Sequence, residues 1–551
     1  MANYTMRADG TAANKAAAVD GDPAVQAECM SIATHNAETF SAGDVIMLAD
    51  TGGDYRSTLI PPSSGSSGNH IVYEAYSGDT PVLNGAEIIT GWTPEGTENV
   101  WEAAATSQRQ QLFIDGTFGD RKASTGACVS EYDWYWASNV LYLYATADPD
   151  GEYTTVEASY RLIGMSVETD YITVDGLTAK YSNRNGLGTA GSQSGDNIVF
   201  KNCIGEWNWY KGIGPEGSSA HTDCTIEDNI CRYNGVGGIS LGILFQDCII
   251  RRNECYENGK YQPAGNSYDQ EQYKWSFGIK AFGLNDTAHG VDIYENKCYA
   301  NGRGELHDQS GAGVGIWIDY VQGTSESTSD IHHNLVYDNK GHGIFIEISK
   351  YGRVWSNVCH DNGAADPFMW GEPANICIDT RETYNSDNNV IYNNTCSGGQ
   401  YGLKVSAYSV SSCTLNDNII KNNIFVGNSE YNVYVAFGGD NDGVNGSGNL
   451  YSNNCFGDEV TEGAGFLGIL YTDYDTYDTW LAAMNANENI QPDNNIEADP
   501  AFTDAGSDDY TLGVASPCRG AAENIGSPYD AALLSASSWP DSVVTGSQDD
   551  Y

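Results

Sequence analysis

The sequence predicts an all-β solenoid, a single-stranded right-handed parallel β-helix, on three observations. An Asn-x-Cys-x-x-Asn-Gly signature recurs between roughly residues 170 and 460. A Gly-Ile signature follows most of its copies, and short β-branched runs alternate with asparagine and glycine turns. Repeats with a period of roughly 20–50 residues are typical of solenoids, in which each coil packs only on its neighbours.

The asparagines of the first signature predict ladders of hydrogen bonds along the solenoid. Full copies of the signature begin at Asn229, Asn253, Asn296 and Asn357. Asparagine tolerates a left-handed backbone and can bond its stacked copy one coil away. Glycine supplies positive φ without a steric penalty. We therefore expect the turns of successive coils to stack through these residues.

Fourteen cysteines could form a disulfide framework, but their spacing favours a different arrangement. The cysteine of the signature recurs at one repeat position, where a small apolar side chain suits a crowded inward column. We therefore expect a reduced structural ladder, with scattered disulfides as the alternative. The chain has no Cys-x-x-Cys pair, so a metal site built on cysteines is not expected.

The coil pattern divides the chain into four segments. Residues 1–90 are expected to form an N-terminal cap and the first coils, and 166–460 the parallel β-helix core with the active site. Between them, 91–165 does not fit the coil pattern and predicts a small inserted antiparallel β-domain. Residues 461–551 are expected to add C-terminal coils, a cap and a tail, with a short amphipathic helix over 474–487.

The charge balance limits the classes of partner. The 551 residues include 26 Lys plus Arg against 74 Asp plus Glu, a net charge of −48. Such a surface repels nucleic acid and anionic membranes, so an oligosaccharide or polysaccharide of low charge is the expected partner. We find no apolar run long enough to span a membrane and no secretory signal. We expect an extracellular or virion-associated protein; the oligomeric state is not predicted.

The candidate chemistry lies four residues after the glycine of the second signature. This column reads Glu216, Gly242, Phe282, Asp319, Glu347, Asp379 and Ser406. Three successive coils thus present carboxylates at the end of a strand-like run. Neighbouring strands lie about 4.8 Å apart. Like charges at that separation raise one another's pKa values and need a compensating cation or a shared proton, which is a sign of function.

The spacing of the coils fits glycosidase chemistry in two ways. Retaining glycosidases hold two carboxyl groups roughly 5–5.5 Å apart, which neighbouring coils supply with Asp319 and Glu347. Inverting enzymes need about 6.5–9.5 Å, which is nearer the separation of Asp319 and Asp379, two coils apart. Neither mechanism needs a cofactor.

The segment 315–349, GIWIDYVQGTSESTSDIHHNLVYDNKGHGIFIEIS, resembles the active-site region of β-helix glycoside hydrolases, in particular the family 120 β-xylosidases. The resemblance implies a retaining hydrolase in which Asp319 is the nucleophile and Glu347, with a raised pKa, is the acid/base. Trp317 matches as well. The inserted segment resembles the β-domain that such enzymes carry, and the N-terminal residues resemble β-helix proteins of phage and environmental sequences. The implied substrate is a plant- or microbe-derived oligosaccharide or polysaccharide.

Further residues of the middle coils are candidates for supporting roles. Lys280, Arg381 and His342 lie near the carboxylates in the alignment of the coils, and with Asp379 they form the predicted supporting group. Sugar-binding sites combine aromatic walls with a few polar groups. The predicted substrate-binding residues are Trp317, Tyr320, Trp275, Trp370, Trp209 and Glu216.

Three alternatives remain open from the sequence. A calcium-dependent polysaccharide lyase of the pectate-lyase type would use Lys280 or Arg381 as base, with the stacked acids binding Ca²⁺. A non-catalytic tailspike-like or adhesin-like β-helix would present the same face for glycan binding alone. The histidines of the middle coils could form a metal site; they are His332, His333, His342 and His360.

Overall fold

Two units make up the chain in the computed structural model. The model describes residues 1–189, 195–215, 221–260, 275–283, 288–302, 313–325, 327–363, 373–381, 384–408, 413–437, 448–463, 466–469, 472–486 and 490–519. The first unit comprises Met1–Gly242, Glu257–Ser276 and Gly304–Gln309. The second unit comprises Ile243–Tyr256, Phe277–Arg303 and Ser310–Tyr551. Both are built from parallel β-coils.

Three parallel sheets form the coils of the first unit. One sheet contains Asn3–Met6, Val45–Leu48, Ile71–Ala75, Ile172–Asp175, Val199–Lys201 and Thr225–Glu227. The second contains Val82–Asn84, Thr178–Lys180, Ile204–Glu206 and Ile230–Arg232. The third contains Ile163–Ser166, Asn185–Gly188, Lys211–Gly214 and Gly237–Ile243. His221–Thr222 is a further short strand. A short helix, Ile32–Asn36, and the turns Lys15–Ala18 and Gln26–Glu28 lie near the start of the chain.

Mostly antiparallel strands interrupt these coils where the sequence predicts an insertion. One sheet orders Asp120–Arg121, Asp133–Ala137, Val140–Tyr144, Val100–Ala104 and Thr93–Pro94, and only its first pair is parallel. A second orders Ala86–Ile88, Val156–Ser159, Leu112–Ile114 and Thr117–Phe118. A helical turn at Pro149–Glu152 and another at Thr125–Ala127 connect strands. Trp134, Leu141 and Leu143 are fully buried between the sheets. The inserted antiparallel β-domain is therefore confirmed.

The coils of the second unit likewise place their strands in three parallel sheets. One contains Phe245–Arg251, His289–Tyr294, Ser329–His332, Gly352–Trp355, Val390–Tyr392, Ile419–Lys421, Asn449–Ser452 and Ile490–Asp493. The second contains Glu254–Tyr256, Lys297–Tyr299, Leu335–Tyr337, Val358–His360, Thr395–Ser397 and Ile424–Val426. The third, called the site sheet below, contains Phe277–Gly283, Val314–Asp319, Ile344–Glu347, Ala374–Arg381, Tyr401–Tyr408, Tyr431–Phe437 and Leu467–Ile469, with Thr472–Tyr474 antiparallel at its edge. The all-β parallel β-helix predicted from the repeats is confirmed.

Buried asparagines stack between the coils of the second unit as expected. In the longest ladder each amide nitrogen donates to the amide oxygen of the next asparagine at 2.9–3.1 Å. Its members are Asn253, Asn296, Asn334, Asn357, Asn394, Asn423, Asn454 and Asn495. Because each side chain also bonds the backbone of neighbouring coils, the buried polar groups of the turn are satisfied.

The left-handed turn residue is not the asparagine itself but the residue before it. Arg252, Glu295 and His333 have φ between 52° and 54°, and each precedes a ladder asparagine. The left-handed backbone that the sequence predicts for the ladder asparagine is therefore found at the residue before it. The asparagine itself directs its side-chain amide into the core. All fourteen cysteines are buried, and none of them is joined in a disulfide. Burial raises the pKa of the Cys203 thiol to about 12.

Short elements cover the C-terminal coils of the second unit. The helix expected over 474–487 is observed as Tyr477–Ala486, where Trp480 and Met484 are fully buried. A one-turn helix, Glu459–Glu462, precedes it, and an antiparallel hairpin joins Phe502–Asp504 to Asp509–Leu512 through a turn at Ala505–Ser507. Among the described residues, no helix combines the length and the apolar character needed to cross a membrane. The predicted tail, 538–551, lies outside the described residues.

Candidate active site

The carboxylate column read from the sequence is a real column of register partners. On the site sheet Phe282 pairs with Asp319, and Asp319 pairs with Glu347. Glu347 in turn pairs with Asp379, and Asp379 pairs with Ser406. The three acids therefore lie on three consecutive hydrogen-bonded strands: Asp319 and Glu347 are the last residues of theirs, and the strand of Asp379 continues to Arg381. Neighbouring strands of a sheet lie about 4.8 Å apart.

Alternation along the strands puts the three acids on one face of the site sheet. Ile316 and Ile318 are buried in the core, whereas Trp317 and Asp319 lie on the opposite face and contact Lys280. That face is also sheltered from solvent. Asp319, Glu347 and Asp379 are 4%, 3% and 5% exposed. Because burial strengthens electrostatic interactions, the neighbours of each carboxylate decide its charge.

Asp319 has a cationic partner from the preceding strand. The ammonium of Lys280 lies 2.7 Å from Asp319 Oδ2, and both side chains are largely buried. The same ammonium lies 3.3 Å from the centre of the Trp317 ring. A cation held between a carboxylate and an indole face is stabilised by both, since the ring face carries negative potential. Lys280 therefore keeps the Asp319 end of the column close to electrically neutral.

Glu347 accepts a hydrogen bond from a neutral donor on the preceding strand. The indole nitrogen of Trp317 donates to Glu347 Oε2 at 3.0 Å. Phe345, two residues before Glu347, stacks on the Trp317 ring at a centroid distance of 5.6 Å. These contacts fix the position of the Glu347 carboxyl beside Asp319.

Asp379 is held by a hydroxyl from the following strand. Ser406 Oγ donates to Asp379 Oδ1 at 2.8 Å. Lys404, two residues before Ser406, is buried on the same face and is the register partner of Cys377. The described part of the column thus places three carboxylates between two lysines.

Serine hydroxyls and left-handed residues fix the backbone around these carboxylates. Ser349 Oγ donates to the backbone oxygen of Glu347, and Ser386 Oγ to that of Asp379, both at 2.7 Å. Tyr320 and Ile348, the residues directly after Asp319 and Glu347, have φ of 57° and 50°. Ile348 is the only β-branched residue with a left-handed φ among the described residues. Such a conformation is costly for a β-branched side chain, and backbone strain of this kind clusters at functional sites.

Trp317 and His342, which the sequence predicts to bind substrate and to support the carboxylates, make contacts within the protein that the sequence did not predict. Trp317 is completely buried, so it cannot offer a ring face to a sugar in this conformation; it contacts Glu347 and Lys280 instead. His342 is 3% exposed, and its Nδ1 accepts the backbone N–H of Ala374 at 2.9 Å. It lies before the Ile344–Glu347 strand, at the end remote from the carboxylate. Both residues therefore support the strands of the site sheet.

Tyr320 is the predicted aromatic residue next to the carboxylates that keeps some exposure. Its ring packs edge-on against Phe282 and against Tyr384, at centroid distances of 5.9 and 5.0 Å. Tyr384 is 40% exposed and was not predicted. The pair forms an aromatic edge beside Asp319 that is available to a ligand.

For the other predicted site residues, the structure describes no side-chain contact with the carboxylate column. Trp209 and Trp275 belong to the first unit, where Trp209 is buried and Trp275 is partly exposed. Glu216 and Trp370 lie outside the described residues, as do most positions of the segments 260–275, 303–312 and 364–374. Arg381 ends its strand at the register position of Tyr408, but its side chain is not among those described.

The four histidines of the middle coils do not converge. His332 and His333 are in contact through their Nδ1 atoms, and His332 Nε2 lies 3.0 Å from Asp292. His360 lies on a different sheet and contacts Asp361 and Asp508. His342 lies beside the site sheet. A metal site formed by all four is therefore wrong, because the sheets on which they lie face different directions.

Known proteins match this chain in fold. The family model described as the right-handed β-helix region matches residues 185–378. No curated protein matches the chain. A structure of XylC in complex with xylose is 16% identical and aligns over 91% of this chain and 87% of its own, with a TM-score of 0.57. A structure described as a glycoside hydrolase is 9% identical over 93% of this chain and 99% of its own, with a TM-score of 0.47. The fold is a right-handed parallel β-helix.

Proposed function

We propose that the chain is a carbohydrate-active enzyme, a retaining glycoside hydrolase of the kind found in family 120, with Asp319 as nucleophile and Glu347 as acid/base. The observation that carries the proposal is the adjacency of two buried carboxyls, one of which is paired with a cation. Asp319 and Glu347 are register partners on neighbouring strands, Lys280 pairs with Asp319, and Trp317 donates its N–H to Glu347. XylC, whose fold is similar, was solved with xylose bound, which supports a sugar as ligand.

The charges of these groups assign the two roles. A nucleophile must be ionised when the substrate binds, and the Lys280 ammonium stabilises the carboxylate of Asp319. A general acid must hold a proton, which the anionic neighbours of Glu347 favour. Asp319 Oδ attacks the anomeric carbon while Glu347 protonates the leaving oxygen. Glu347 then takes a proton from water, whose oxygen displaces Asp319 and releases the sugar.

The inverting alternative fits the column less well. It would use Asp319 with Asp379, and a water molecule must occupy the space between the two carboxyls. Glu347 is the register partner of both acids and lies between them. The carboxylate of Asp379 is also engaged by Ser406. These contacts favour the adjacent pair.

The calcium-dependent lyase is disfavoured by the partners of the same side chains. A lysine base must lose its proton, but the ammonium of Lys280 is held by Asp319 and by the Trp317 ring. Carboxylates that bind Ca²⁺ offer their oxygens to the ion, whereas those of this column already accept hydrogen bonds or an ion pair.

We propose an oligosaccharide or polysaccharide substrate and an extracellular or virion-associated location.

The decisive experiment is a screen of aryl glycosides and polysaccharides, followed by NMR of the first-formed anomer. We expect hydrolysis with retention of configuration. Asp319→Asn and Glu347→Gln should each lower kcat by at least about 10³-fold, and azide should restore turnover of an activated glycoside by Glu347→Ala. An inverted product would exclude the adjacent pair. Glycan binding that persists in both variants, with no turnover by the unsubstituted protein, would favour the tailspike-like or adhesin-like alternative.

A further inference from the structure

Cys455 lies on the outer face of a sheet, whereas the repeat cysteines of that sheet lie on its inner face. In the sheet that contains Ile424–Val426, Cys359 is the register partner of Cys396, and Cys396 is the register partner of Phe425. These side chains form a fully buried inner column. Cys455 pairs instead with Ile424, the residue before Phe425. Because successive side chains of a strand point to opposite faces, Cys455 belongs to the outer face.

The segment 502–519, called the hairpin segment below, covers this outer thiol. It contains the antiparallel hairpin and the residues that follow it, and it belongs to the same unit as Cys455. A small apolar cluster joins the segment to the coils, and both of its cysteines are fully buried. Its buried members are Ile424, Val426, Cys455, Leu512 and Cys518. The contact between coils and hairpin segment therefore has a thiol on each side.

The two thiols touch, and each is held in place. The hydrogen bond from the Cys518 thiol lowers the pKa of the Cys455 thiol, and the same contact raises the pKa of Cys518. Cys455 Sγ also donates to the backbone oxygen of Ala498 at 3.1 Å. The backbone N–H of Cys518 donates to Ser516 Oγ at 3.2 Å. A disulfide bond of about 2.05 Å therefore requires the approach of two sulfurs that are already in contact.

We propose that Cys455 and Cys518 are a cross-linking site, at which an oxidising environment forms a disulfide that fastens the hairpin segment to the coils. The bond would join residues that are 63 positions apart in the sequence, since 518 minus 455 is 63. A cross-link over so long a loop restricts the unfolded chain strongly and so stabilises the folded one.

The cysteines of the inner column stay reduced under the same conditions. Cys359 and Cys396 are also hydrogen-bonded to each other, but they are register partners on neighbouring parallel strands. Such strands lie about 4.8 Å apart. The Cβ atoms of a disulfide lie roughly 3.5–4.5 Å apart, so a bond inside the column would pull two coils together. Selective oxidation of the outer pair follows from this difference.

The oxidant in this scheme is a small disulfide such as oxidised glutathione. Because both protein thiols are buried, it reaches Cys518 while the hairpin segment is undocked. The thiolate of Cys518 attacks one sulfur of the oxidant, which releases one glutathione as a thiol. When the segment docks, the thiolate of Cys455 attacks the sulfur of Cys518, and the second glutathione leaves as a thiol. Two electrons and two protons pass from the protein to the oxidant.

The sequence allows a direct test by peptide mapping. Trypsin cleaves after Lys421 and after Arg519, and no lysine or arginine lies between them. The peptide 422–519 therefore contains Cys455 and Cys518 and no other cysteine. The full chain is refolded in an excess of oxidised glutathione, unfolded in iodoacetamide without reductant, and digested. We expect this peptide to be unalkylated and lighter by two hydrogen atoms than the dithiol form, and Cys359 and Cys396 to be alkylated.

Thermal unfolding measures whether the bond fastens the segment. Oxidation should raise the unfolding midpoint of the unsubstituted chain by about 3–8 °C, and Cys518→Ser should lose this gain. The matched control is Cys298→Ala, because Cys298 is a fully buried thiol of the inner column. That variant should keep the gain. Incubation of the folded chain with the same oxidant, just below its unfolding midpoint, gives a second preparation that does not depend on refolding.

Several results would overturn the proposal. One is a peptide 422–519 that carries two alkyl groups or two glutathiones after either treatment with the oxidant. Another is a disulfide that joins Cys455 or Cys518 to a different cysteine. A gain in the unfolding midpoint that persists in Cys518→Ser, or a Cys455–Cys518 disulfide that leaves the midpoint unchanged, would show that the bond does not fasten the segment.

Discussion

Trp317 donates its indole N–H to Glu347 across two neighbouring strands of the site sheet, at 3.0 Å. The donor stabilises the carboxylate form of Glu347, so its loss favours the protonated form. Trp317→Phe should therefore move the alkaline limb of the pH profile of kcat/KM to higher pH. The lost bond to a charged group, about 1.5–3 kcal/mol, corresponds to roughly a 10- to 100-fold lower rate of deglycosylation. Stopped-flow kinetics with a dinitrophenyl glycoside measures this step; an unchanged limb would contradict the assignment.

Removal of the lysine should affect the opposite limb. In Lys280→Met the Asp319 carboxylate loses its ammonium partner, so Asp319 takes up a proton at higher pH. The acidic limb of kcat/KM should rise by about one unit, and kcat/KM at the optimum should fall about 10- to 100-fold. The matched control is Arg353→Met, which breaks the ion pair between Arg353 and Asp330 on another sheet of the same unit. In Arg353→Met both limbs of the pH profile of kcat/KM should stay in place. An acidic limb that shifts equally in both variants would instead indicate a general effect of lost positive charge.

The asparagine ladder should carry a large share of the stability of the second unit. Asn357 is fully buried, donates to the backbone oxygen of Ile331 and accepts the backbone N–H of Asn334. Asn357→Ala leaves both groups buried without that partner and should lower the free energy of unfolding by about 3–5 kcal/mol. Asn485→Ala, at an exposed position of the Tyr477–Ala486 helix, should change it by less than about 0.5 kcal/mol. Urea denaturation followed by circular dichroism measures both, and equal effects would mean that the ladder is incidental.

A buried histidine should make the first unit sensitive to acid. Burial lowers the pKa of His35 to about 4, and the imidazole contacts Tyr73 and Asn36. Because the folded pKa is depressed, the unfolded chain binds the proton first, and stability present above pH 6.5 is lost as the pH falls from 6.5 towards 4. The loss is about 3 kcal/mol at the lower end. His35→Gln should flatten the dependence of unfolding free energy on pH over this interval; an unchanged slope would assign the acid sensitivity to other groups.

The column of acids could be predicted because register in a solenoid follows from alignment of its repeats. Once the Gly-Ile signatures are superposed, Asp319, Glu347 and Asp379 must be neighbours. The buried asparagines and the free cysteines followed from the same reasoning, since one repeat position in the sequence is one column in space.

What a side chain touches across the column could not be predicted in the same way. Trp317 was expected to face a sugar, but its ring lies beneath Lys280 and its nitrogen points to Glu347. The choice between these orientations depends on rotamers and on diagonal neighbours, which a repeat alignment does not contain. The serines that support the strand ends, Ser349 and Ser386, follow their carboxylates at different separations, so no common spacing indicated them.

The ladder of asparagines also bears on how such a protein changes over evolutionary time. Successive ladder members are separated by 43, 38, 23, 37, 29, 31 and 41 residues, yet every step has the same hydrogen bond. The length of chain between two ladder asparagines therefore varies by 20 residues, from 23 to 43, while the hydrogen bond that joins them stays the same. Insertions between coils can therefore change the surroundings of the carboxylates without moving the carboxylates themselves. A protein lineage could in this way change its glycan specificity and keep its catalytic groups.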